Sequence, residues 1–125
     1  MKVIEVSISC RVINGVCDKV HSHLAIHAGV TDRVREFEQE LRTQLESRQG
    51  KSLDVNKMVR IIIAAIGELH LDIARETGHT RAPIDLVGDP PATFEATREL
   101  DYKLCWFLVE CARDQLSAPG STTPA

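Results

Sequence analysis

The sequence has no long apolar run. Its longest, Ile61 to Ile66, spans six residues, against the roughly 20 a membrane-spanning helix needs, so a membrane partner is not expected. The opening MKVIEVSISC lacks the basic-then-apolar succession of a secretory signal, and the chain is read as cytoplasmic. Neither sign of charge dominates: 15 basic residues stand against 18 acidic, a net charge of −3. That excludes a uniformly basic protein wrapped on nucleic acid, though not a local basic patch. There is no CxxC or HExxH spacing, no glycine-rich phosphate loop, and no serine or cysteine set in a recognisable nucleophile motif. The four cysteines, Cys10, Cys17, Cys105 and Cys111, lack the close spacing of a disulfide framework. Cys105 and Cys111 would stand about 240° apart on a helix, so they cannot bridge within it. All four are read as reduced thiols, mostly buried.

What is present is 43% hydrophobic residues in 125, enough for the core of one domain and too much for a disordered chain. Charge divides unevenly. Residues 1–60 hold ten basic and eight acidic groups and residues 61–125 hold five and ten, so an anionic partner would favour the first half.

Val3 to Val12 alternates, with Ile4, Val6, Ile8, Cys10 and Val12 on one face and Glu5, Ser7, Ser9 and Arg11 on the other. Period two with β-branched residues predicts a half-buried strand, ended by the turn chemistry of Asn14-Gly15. A helix follows from Val16 to Ala28, stopped by Gly29, with Thr31 capping the next. That second helix, Asp32 to about Arg48, carries a narrow stripe of Val34, Phe37, Leu41 and Leu45 among charged residues, the pattern of a peripheral helix or coiled-coil seam. Gln49 to Ser52 reads as a loop. A third helix, about Asp54 to Thr77, is apolar over roughly 160° of its circumference and is expected to be the central core helix. His79 to Pro91 reads as a loop, and Pro90-Pro91 suits the first turn of a fourth helix, about Ala92 to Leu116. The fold class is therefore mainly α: one N-terminal strand and about four helices in a single domain, 1–116, with a disordered tail, 117–125. A lone strand cannot satisfy its hydrogen bonds. Ile84–Val87 is a weak candidate partner; pairing with its copy in a homodimer is the favoured one.

Cys17, His21, His23 and His27 are the densest set of metal-binding side chains. On one helix they form two pairs about 120° or more apart, so they cannot converge on a single ion; a metal would need one pair plus outside donors such as His70. The bland alternative has Cys17 and His27 bordering the core and His21 and His23 in water. His70 itself falls within the apolar arc of the third helix and reads as a core histidine. Neither metal nor cofactor is expected.

Two resemblances touch short segments. The acid pairs Glu36/Glu40 and Glu68/Asp72 resemble the clustered carboxylates of all-α nucleoside triphosphate pyrophosphohydrolases, which implies Mg²⁺ and phosphate chemistry; the alternative is two solvated helix faces. Gln39-Glu40-Leu41-Arg42-Thr43 is similar to a sensor kinase's phospho-acceptor helix, but Gln39 stands where the histidine should be. Over residues 3–45 the strand followed by Leu24-Ala25-Ile26-His27-Ala28-Gly29-Val30-Thr31 resembles ribbon–helix–helix repressors. The resemblance implies a dimer that reads DNA through Ser7, Ser9 and Arg11, with Thr31 at a phosphate. Its strand-to-junction distance is longer than that family's.

Four of the five aromatics, Phe94, Tyr102, Trp106 and Phe107, lie on the fourth helix. With Phe107 and Leu108 facing the core, Trp106 projects away beside Glu99, Glu110 and Arg113. The leading expectation is a small non-enzymatic interaction or regulatory protein, homodimeric, meeting an unidentified protein partner through Trp106 and the Phe37/Leu41/Leu45 stripe. DNA binding of ribbon–helix–helix type is the second reading and the pyrophosphohydrolase the third.

Overall fold

The computed structural model describes residues 3–76 and 90–117. Its elements are β1 (Glu5–Ser7), α1 (Cys10–His27), α2 (Asp32–Ser47), β2 (Ser52–Asp54), α3 (Val55–Glu76) and α4 (Pro90–Ser117). Among the described residues the chain is mainly helical, with the four helices and the N-terminal strand that its periodicity predicts, and with a second short strand that it does not. No helix among them is long and apolar enough to cross a membrane.

The N-terminal strand is real but short. It ends at Ser7 rather than Val12, because Ser9 caps α1, its hydroxyl accepting the Val12 N–H at 3.3 Å. Ile8, Val12, Val16, Val20 and Leu24 stand four apart and are all buried. The segment from Ile8 to Val12 thus satisfies both a two-residue and a helical period, and the longer stripe wins. Asn14-Gly15 is consequently not a turn; both residues lie inside α1.

The partner of β1 also differs from expectation. It is β2, antiparallel, with Glu5 opposite Asp54, Val6 opposite Leu53 and Ser7 opposite Ser52. Hydrogen bonds extend the pair at both ends: Val55 N–H to the Ile4 carbonyl at 2.9 Å, Ile8 N–H to Lys51 at 2.9 Å and Gly50 N–H to Ile8 at 2.8 Å. The expected loop 49–52 therefore runs into a strand, and Gly50 makes the turn with φ +87°, a conformation open to glycine. The opposite edge of β1 meets α4, where the Gln115 side chain imitates a peptide. It accepts the Ser7 N–H and donates to the Ser7 carbonyl, both at 2.9 Å. Within this chain the strand already has its partner, which removes the argument that sought one in a second chain. The alternative strand Ile84–Val87 lies outside the described residues, as do the expected loop from 79 and the tail from 118.

The remaining punctuation follows the sequence. Gly29, with φ +82°, follows the end of α1, and Thr31 caps α2 by accepting the Val34 N–H at 3.2 Å. Asp54 accepts the Asn56 N–H at 2.9 Å at the start of α3, and Pro90 opens α4. α3 supplies Val55, Met58, Val59, Ile62, Ile66 and Leu69 to the core. α4, however, packs most extensively, on α1, α3 and β1, whereas α2 leans mainly on α1. The closest approach is α1 to α4 at Gly15. A Cβ there would lie 2.0 Å from Phe107 Cζ, so any larger residue must displace that ring.

Candidate interaction surface

α4 buries Leu100, Leu104, Leu108, Cys111 and Ala112 along one side. Helical geometry then turns the positions between them outward. Trp106 is 50% exposed, Tyr102 66% and Leu116 78%. With half-buried Cys105 and Val109, Tyr102 and Trp106 line a shallow hollow of about 260 Å³. Cys105 also borders a second hollow of about 380 Å³ that runs to Val3, Val59 and Arg60. That second hollow is more polar, with Asp54, Asn56 and Asp101 also on its wall. The Cys105 thiol donates to Asp101 at 3.4 Å, and burial, followed by that hydrogen bond, pushes its pKa up. It is therefore a protonated apolar group at neutral pH and no nucleophile.

The α2 stripe has a different fate. Leu45 is buried and Phe37 and Leu41 are half-buried against the core. These three proposed contact residues are largely spent inside the chain.

The four DNA-contact candidates all have local partners. The Ser7 hydroxyl lies 3.3 Å from that of Ser52. Ser9 and Thr31 are N-caps, and Arg11 donates to Asp114 at 2.6 Å. Ser9 and Arg11 do not lie on the strand at all, so the polar reading face 7-9-11 is not assembled.

Histidine placement corrects the sequence reading. His23 is buried, 8% exposed, whereas His27 and His21 are exposed. His23 stands seven residues after Val16, two helical turns along the same face, a signal the histidine spacing masks. Its ring lies 4.8 Å from that of His27 and 6.0 Å, edge-on, from that of His70 on α3. Burial, then the charges of His27 and His70, lowers the His23 pKa to about 4, and burial lowers that of His70. Both rings are neutral at pH 7. His21 instead meets Glu38 at 2.6 Å.

Among the described residues no three His, Cys, Asp or Glu side chains are grouped to hold a metal ion. The acid pairs are not gathered either: Asp72 is held by Arg33 at 2.8 Å and Arg75 at 3.3 Å, and Glu36, Glu40 and Glu68 are exposed. The four cysteines are unbridged; Cys111 is buried, Cys17 and Cys105 are half-buried, and Cys10 is exposed. No family model, curated protein or solved structure matches the chain.

Proposed function

We propose that the chain is a small non-enzymatic interaction or regulatory protein whose working surface is the outward face of α4. The observation that carries this reading is the exposure of Tyr102, Trp106 and Leu116 on a helix that buries Leu100, Leu104, Leu108 and Cys111 on its other side. Contiguous exposed apolar surface marks binding sites, and tryptophan, tyrosine and arginine dominate the energetics of interfaces, with losses of about 2 kcal/mol or more on truncation. Four unbridged thiols suit a reducing compartment, which supports a cytoplasmic setting.

The test is a pull-down from the native cell with wild-type protein and Trp106→Ala. The variant should fold, as judged by circular dichroism, and lose the bound partner. An identical set of bound proteins would refute the reading. Retention on duplex DNA that falls with salt and with Arg11→Ala would replace it by the repressor reading.

A further inference from the structure

Resting on that reading of α4, we propose that the partner on this face is a second copy of the chain, packed antiparallel along α4. Glu99, Tyr102, Trp106, Val109, Arg113 and Leu116 follow one another at alternating steps of three and four residues, the spacing of a coiled-coil seam. All six are exposed or half-buried, on the side of α4 opposite its buried leucines.

The charges select the orientation. A parallel pair would set Glu99 against its own copy and Arg113 against its own copy, both like-charge contacts. In the antiparallel pair the two-fold axis passes between Trp106 and Val109. Trp106 then meets the second copy's Val109, and Tyr102 meets the second copy's Arg113, a guanidinium over an aromatic ring. Glu99 lies within one turn of that same guanidinium. Lys103 and Glu110 are both exposed on one flank of the seam, and the two-fold brings each Lys103 to the second copy's Glu110. The existing Lys103–Glu99 contact at 2.9 Å is a solvent-exposed i,i+4 pair, easily exchanged for an intermolecular one. The face is thus complementary to itself in one orientation.

Light scattering and sedimentation across micromolar concentrations test this on the full chain. The expected mass is that of two chains, and the emission of Trp106, the only tryptophan, should shift to the blue as the dimer forms. Trp106→Glu should give a monomer with an unchanged circular dichroism spectrum. Lys103→Glu and Glu110→Lys should each weaken the dimer several-fold or more, and the double exchange should restore it. A dimer insensitive to Trp106→Glu, or one the double exchange fails to restore, overturns the proposal. A chain that stays monomeric yet captures another protein through Trp106 overturns the self-pairing alone. A monomer with no Trp106-dependent partner overturns the reading of the surface as well.

Discussion

At Gly15 the usual preference is reversed. Alanine in a helix interior is favoured over glycine by about 1 kcal/mol, yet here a methyl group would overlap the Phe107 ring. That ring also sits under the Lys19 ammonium, 4.3 Å from its centroid. Gly15→Ala should therefore destabilise, by about 1–3 kcal/mol, and most of the loss should vanish in a Phe107→Ala background. A double-mutant cycle by urea unfolding measures this; additive effects would disprove the contact. His23 makes a second residue-scale prediction. Its folded pKa of about 4 lies below the ordinary 6.5, so unfolded chains bind the proton first. The neutral ring's contribution is complete above pH 6.5 and is lost as pH falls from there towards 4, on the order of 3 kcal/mol in all. His27, His70 and Lys103 oppose protonation of this ring and Glu99 favours it; titration of His70, also lowered, adds in the same direction. Thermal melts between pH 7 and 4.5 should fall for the wild type and fall less for His23→Leu. Parallel profiles would count against a role for this ring. Neither residue announces itself in the sequence: Gly15 looks like a turn after Asn14, and the meeting of His23 with His70 depends on the register between two helices.

Among elements, the helices were legible where caps and stripes agree. Gly29, Thr31 and Pro90 mark boundaries by chemistry local to the chain, and the structure places them there. β1 and α1 were confounded because Ile8 and Val12 belong to both periods. β2 was invisible because Ser52-Leu53-Asp54 carries one apolar residue and owes its conformation to a strand 45 positions away. The α2 stripe was read correctly as a stripe, but periodicity does not say whether Leu45 enters its own chain's core or another's. The outward set of Trp106, by contrast, follows from the wheel alone. The contact between Gln115 and β1 permits a test at this scale. Gln115→Glu keeps an acceptor for the Ser7 N–H but loses the donor to the Ser7 carbonyl. It should cost about 1–2 kcal/mol at pH 7, and the deficit relative to wild type should narrow as the new carboxyl protonates near pH 4. A deficit independent of pH would show that the donor is unimportant.

For the whole molecule, α4 is already the most extensively packed helix, and in the proposed dimer it becomes the shared centre of both copies. Its flanking charges choose orientation more than they add affinity, so Trp106 should govern whether the pair forms and Lys103 and Glu110 how it is arranged. The two ends of the bundle are fastened by different means. Where α1 begins and α4 ends, the fastening is a strand pair, the carboxamide of Gln115 and the exposed Arg11–Asp114 ion pair, with no histidine among them. Towards the close of α1 it relies on imidazoles that must stay uncharged, with His23 and His70 pressed together. Acid should consequently give this protein a direction, loosening the tip that holds the neutral imidazoles before the base where the strands are paired.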